Sequence, residues 1–176
     1  WILKTKYSFI VIDPLQFNKI NKNFNNRVTA YNSFDKIKDF KLIDIIIIAV
    51  KPQIVLPVMI DLNKYKLTNN IIFLSIVAGK KINFFNKYLP KKNQFIRVMP
   101  NMPAMINQGM SCLLANKHVT KKNKQIANSL FLEIGKTLWL KSESEINKVT
   151  AISGSGPGYI FLIIDAFEKA ALELGL

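Results

Sequence analysis

Residues able to do chemistry are sparse in this sequence, and their types narrow the reactions open to it. There is one histidine, His118, and one cysteine, Cys112. A zinc site or a Cys–His nucleophile pair needs several such groups converging. Metal-assisted and covalent catalysis therefore find no support, and no metal ligands are assigned. His118 lies in the polar run ANKHVTKKNK and reads as a surface residue. The remaining candidates stand just beyond apolar runs. Asp13 ends FIVID, Lys51 and Pro52 follow IDIIIIAV, and Asn101 sits between Pro100 and Pro103 after QFIRVM. An acid at such a strand end can accept from the ribose hydroxyls of a dinucleotide. An Asp before a proline can equally open a turn or cap a helix, so two readings of Asp13 stand. Lys51 would bring a cation to the edge of a sheet, or it is a surface lysine at a strand–helix junction. Asn101 offers an amide donor and an acceptor from a rigid loop. Glu143, ahead of AISGSGPGYIF, suits the first turn of a helix, where the dipole favours an acid.

That glycine stretch, residues 151–161, is the other candidate for chemistry. A dinucleotide loop needs Gly-x-Gly-x-x-Gly directly after a strand, so that backbone amides meet the pyrophosphate at a helix N-terminus. Gly154, Gly156 and Gly158 have a different spacing, and the sixth position is Tyr159. The preceding ESEINKVTAIS reads as a helix. Pro157 suits the first turn of a following helix, where its missing N–H costs nothing. The stretch is read as a hinge between two domains, and the other glycines stand alone.

The elements that must position these residues alternate. FIVID, IDIIIIAV (Ile43–Val50), IIFLSIVAG (Ile71–Gly79) and QFIRVMP (Gln94–Pro100) are short, β-branched strands; FIVID reads as buried, and IDIIIIAV is the clearest, apolar on both faces as a central parallel strand is. SCLLAN (Ser111–Asn116) and KTLWL (Lys136–Leu140) are further strands. Helices are expected over Gln53–Asn63, with Pro57 kinking it or shifting its start, over Lys81–Leu89, and from Thr120 as N-cap to Gly135. Strand–helix alternation implies an α/β, doubly wound, mostly parallel sheet. From Pro157 the pattern becomes one long helix, apolar nearly all round at its start, which requires burial on more than one side.

Composition fits this reading. The chain has 176 residues and is 49% hydrophobic, enough for a packed core. Its net charge of +14 raises nucleic acid or an anionic surface as a partner. Against that, only Arg27 and Arg97 are arginines, and the lysines are scattered. No apolar run approaches the ~20 residues of a membrane span, and Lys4 and Lys6 break any signal-peptide core. One cysteine implies a reducing, cytoplasmic setting. A chain opening on Trp1 is expected to be a fragment.

Four motifs then coincide in order: AVKPQ (Ala49–Gln53), SIVAG (Ser75–Gly79), RVMPNMPA (Arg97–Ala104) and VTAISGSGPGYIF (Val149–Phe161). Together they resemble the pyrroline-5-carboxylate reductase family from about Phe9 to Leu176. The resemblance implies a Rossmann-like domain over residues 1–152 and the first helix of an α-helical dimerisation domain over residues 153–176. It implies NADPH- or NADH-dependent reduction of 1-pyrroline-5-carboxylate to L-proline, with the cofactor supplying the hydride. It places Asp13, Asn32, Ala49, Val50, Lys51, Pro52, Ile76, Val77, Ala78 and Asn101 on the cofactor side. Taken as a bare residue, Asn32 could instead cap the next short helix, Lys51 remains open to its surface reading, and Ile76–Ala78 could be core. It places Glu143, Ser153, Ser155 and Gly156 near the substrate, where an anion would favour the iminium form. Met102 replaces a family threonine. The family's N-terminal glycine loop and most of its dimerisation helices have no counterpart here, so the chain is expected to be truncated at both ends and weak or inactive alone. Partners implied are the small-molecule substrate and further copies of the chain, with no membrane. The reading from another class is a non-catalytic basic interaction protein that binds nucleic acid or anionic surfaces.

Overall fold

The computed structural model describes residues 7–24 and 27–176; Lys4 and Lys6 lie outside the described residues. Among the described residues seven strands and six α-helices follow in the order β1 (Phe9–Ile12), α1 (Phe17–Asn23), β2 (Val28–Tyr31), β3 (Ile45–Ile48), α2 (Val55–Leu62), β4 (Ile72–Ser75), α3 (Ile82–Phe85), β5 (Gln94–Met99), β6 (Gly109–Ala115), α4 (Lys121–Leu132), β7 (Gly135–Trp139), α5 (Glu143–Val149) and α6 (Gly156–Glu173). The strands form a two-stranded parallel sheet, β1–β2, and a five-stranded sheet in the order β3-β4-β5-β6-β7. Within the larger sheet β3, β4 and β5 are parallel neighbours. β5–β6 is antiparallel, and β6–β7 is parallel again. The mostly parallel sheet expected from the alternation, Rossmann-like as the resemblance implies, is therefore present, divided into two among the described residues.

The core explains the sequence pattern. β4 is buried throughout, because both of its faces are covered. Phe73, Phe85 and Phe95 lie on one face with Val55, Met59 and Leu62 of α2. Ile72, Leu74, Ile96, Val98 and Leu113 lie on the other with Ala127, Leu130 and Phe131 of α4. Phe85 and Phe95 stack with ring centroids 4.8 Å apart, which ties α3 to β5. Thr120 caps α4 as expected, its hydroxyl accepting from the Asn123 N–H at 3.2 Å.

Several expectations are adjusted. Strand β2 and helix α1 were not foreseen: VTAY is only four residues long and α1 contains no buried residue, so neither shows a strong period. Pro57 falls in the first turn of α2, so the helix starts late and Pro57 need not break it. The expected Lys81–Leu89 helix is a single turn. Most notably, the glycine stretch is no sharp bend. Residues Glu143–Glu173 form one helix of 31 residues, interrupted by a π turn at Thr150–Gly154. In that turn the Ser155 N–H reaches back five residues to the Thr150 carbonyl, at 2.9 Å. One added residue per turn absorbs the local distortion without ending the helix. α6 has no buried residue. By length and composition the whole helix would suffice to cross a membrane.

Candidate functional site

A parallel sheet exposes its carboxyl ends on one edge, and the loops leaving them are where doubly wound folds bind ligands. Here β3, β4 and β5 end side by side. Ile48 is in register with Ser75, and Ser75 with Arg97. The Ile76 N–H donates to the Ile48 carbonyl at 3.1 Å, so the chain beyond β4 runs beside the chain beyond β3. The strand ends thus bring Ala49–Pro52, Ile76–Ala78 and Asn101 to a common edge. Ala49, Lys51, Pro52 and Ala78 are exposed, Val50 and Ile76 are half-buried, and Val77 is buried. The buried Ser75 hydroxyl accepts from the Val77 N–H at 3.2 Å and fixes the turn after β4. Gly79 follows with φ +71 and open space where a Cβ would stand.

Asp13 and Asn32 end the smaller sheet. The Asp13 carboxylate accepts from the Leu15 and Gln16 N–H groups, each at 2.9 Å, and so holds the turn into α1. Asn32 accepts from the Ser33 hydroxyl at 3.2 Å. Ser33, not Asn32, occupies the N-cap position of the short helical turn Phe34–Lys36. Asp35 in that turn is held below the usual carboxylate range, first by the Ser33 hydroxyl and then by Lys36.

The helix 143–173 is fastened at two points, one on β5 and one on the loop that follows it. Glu143 pairs with the buried Arg97 of β5 through Oε2, and its Oε1 accepts from the Ile82 N–H at 2.8 Å. Sequence reasoning did not single out Arg97. The available signal was an arginine inside an otherwise apolar strand, which requires a buried anionic partner. Asn101 makes the second attachment, its Nδ2 donating to the Ser153 hydroxyl at 3.1 Å. The same amide's Oδ1 accepts from the Met110 N–H at 2.8 Å. Glu143, Ser153, Ser155 and Gly156 therefore share one helix, and its π turn is joined to the loop that follows β5. Cys112, in β6, is buried, and burial pushes its thiol pKa up. Among the described residues no cluster of His, Cys, Asp and Glu could hold a metal ion.

Fold and edge together define a Rossmann-like α/β protein whose C-terminal helix opens a second region. The comparisons with known proteins agree. A family model described as pyrroline-5-carboxylate reductase dimerisation matches residues 143–176. The chain is 30% identical over 178 residues to the pyrroline-5-carboxylate reductase of Haemophilus influenzae, covering 99% of this chain and 64% of that protein. A solved pyrroline-5-carboxylate reductase from Coxiella burnetii is 30% identical with a TM-score of 0.74, covering 98% of this chain and 73% of that one. The Plasmodium falciparum pyrroline carboxylate reductase, solved with NADP bound, is 25% identical with a TM-score of 0.77, over 100% of this chain and 72% of that one. This chain belongs to the pyrroline-5-carboxylate reductase family. It spans 64%, 56% and 48% of three curated relatives.

Proposed function

We propose that this chain supplies the nicotinamide edge and the substrate-facing helix of a pyrroline-5-carboxylate reductase, with the domain division near residue 152. The reaction reduces the C=N bond of 1-pyrroline-5-carboxylate to L-proline in the cytoplasm. The observation that carries this reading is the alignment of three neighbouring parallel strand ends with a helix bonded to the loop of the third. One wall can then hold a cofactor while the other faces it with substrate.

The residues fit a nicotinamide dinucleotide at this edge. Lys51 presents an exposed ammonium suited to phosphate, and Ala49 and Ala78 are small and exposed. Val50 and Ile76 are half-buried and give this edge apolar surface, whereas Val77 is buried in the core and only supports it. Asp13 and Asn32 would serve the adenosine end, where the Asp13 carboxylate already holds a turn and an acid disfavours a 2′-phosphate. NADPH and NADH both remain candidates. The described residues contain no glycine-rich strand-to-helix loop for the pyrophosphate. When bound, the cofactor would supply a hydride to the carbon of the protonated imine, whose C=N π pair would become the amine lone pair of proline. The chain's part is to hold the two reactants together and exclude water from between them. Ser153, Ser155 and Gly156 line the substrate side. Glu143 would favour the protonated imine only by sharing oxygens already engaged by Arg97 and the Ile82 N–H.

The exposed apolar residues of α6, among them Ile160, Ile164 and Phe167, would pair with a second copy of the chain. The reading as a basic interaction protein has no observation in its favour among the described residues.

The test is calorimetric titration of the protein with NADPH and with NADH, beside the variant Ala78→Trp. Ala78 is exposed, so the bulky ring fills the edge without disturbing the core. Binding that the variant abolishes supports the reading. Absence of binding at millimolar cofactor, or binding indifferent to the variant, overturns it. Addition of pyrroline-5-carboxylate then reports any turnover as loss of nicotinamide absorbance.

A further inference from the structure

We propose that Asn101 is a positioning residue that sets the π turn of the long helix over the carboxyl end of β5. The proposal rests on the reading above only for what that turn faces. Asn101 occupies the N-cap position of the short helical turn Met102–Ile106, yet makes no side-chain cap bond there. Asparagine usually spends its side chain on the cap at such a position. Here the amide spans two other elements. Its orientation is settled by chemistry: the Met110 backbone N–H can be met only by the carbonyl oxygen. Nδ2 is therefore turned toward Ser153, whose hydroxyl accepts at 3.1 Å.

Ser153 lies inside the π turn, Thr150–Gly154. A second observation places this turn near the end of β5. A Cβ built on Gly154 would lie 3.5 Å from the terminal methyl of Met99, the last residue of that strand, and 3.3 Å from Thr150. The spacing of the two attachments also agrees. From Arg97 to Asn101 an extended chain advances ~13 Å, and from Glu143 to Ser153 a helix advances ~15 Å. The helix thus runs alongside β5 and beyond it, with Glu143 fixed on the strand and Ser153 fixed past its end. The Arg97–Glu143 pair anchors the helix, and Asn101 decides where its π turn stands, and with it Ser155 and Gly156.

The test is amide hydrogen exchange over residues 150–158 in the wild type, Ser153→Ala, Asn101→Leu and Asn101→Asp. Ser153→Ala removes one net hydrogen bond and should speed exchange in that segment about fivefold, while the Met110 amide stays protected. Asn101→Leu should speed exchange at both places. Asn101→Asp should restore protection at both, because a carboxylate accepts from the Met110 N–H and from the Ser153 O–H. Unchanged exchange over 150–158 in Ser153→Ala overturns the proposal, as does failure of Asp to restore what Leu loses. If Asn101→Leu does not fold, Ser153→Ala and Asn101→Asp decide. The readout needs no cofactor. An absence of nucleotide binding with the expected exchange pattern would therefore count against the proposed function alone.

Discussion

Glu143→Ala is expected to destabilise the protein more than Arg97→Met, although both delete the same ion pair. The asymmetry follows from burial: the Arg97 side chain is 5% exposed and that of Glu143 is 29% exposed. Removing Glu143 leaves a guanidinium in the sheet without its counter-ion and frees the Ile82 N–H at the start of α3. Breaking a buried pair in this way costs about 3–5 kcal/mol, and the partial exposure of Glu143 places the cost near the lower end. Removing Arg97 in favour of an apolar side chain of similar length leaves a carboxylate that can turn to water. Its oxygen toward Ile82 remains in place, so a loss of about 1 kcal/mol is expected. For a domain of this size, 3 kcal/mol lowers Tm by roughly 6–12 °C and 1 kcal/mol by roughly 2–4 °C. Urea unfolding followed by circular dichroism, at dilute protein because of the exposed α6, measures both variants. Arg97→Met equal to or worse than Glu143→Ala would refute the reasoning. It would mean that the arginine's own packing or other contacts, not its pairing, hold the helix on β5.

Gly135→Ala should prevent folding or halve soluble yield: its φ is +137 and a Cβ would lie 2.0 Å from the Gly109 carbonyl oxygen. Gly79→Ala, with φ +71 and open space around it, should cost only about 1–2 kcal/mol from the left-handed backbone; thermal melts separate the two. Cys112 should resist iodoacetamide in the native protein and react on unfolding. Burial raises its pKa, so less thiolate forms at any given pH, and the native rate should rise only at more alkaline pH than for an ordinary thiol. Phe167→Glu should move the protein toward monomer in sedimentation velocity, since Phe167 is 74% exposed on the apolar helix α6; equal association in variant and wild type would leave that face without its proposed partner.

The sequence by itself determined the alternation of elements and the class of sheet. A β-branched run such as Ile45–Ile48 favours a strand even where cover is partial, as here at the end of the five-stranded sheet with Ile47 exposed, and Thr120 ahead of an amphipathic stretch is a helix-start signal. These are local or one-dimensional signals, and they survived folding with shifts of one to four residues at most strand ends. The proposed cofactor edge was legible for the same reason: in a parallel sheet, residues just after each strand arrive on one side. Tertiary structure decided what no spacing encodes. The pairing of Arg97 with Glu143 joins positions 46 residues apart, and that of Asn101 with Ser153 joins positions 52 apart. Such partners are chosen by which elements lie side by side, and charge or amide chemistry alone names many equivalent candidates. The glycine stretch shows the same limit. Its composition suggested a bend, but the chain makes a π turn within a continuous helix, bonded through Ser153 to Asn101. Backbone freedom permitted either course, and the partner that holds the turn, Asn101, lies 52 positions away in the sequence.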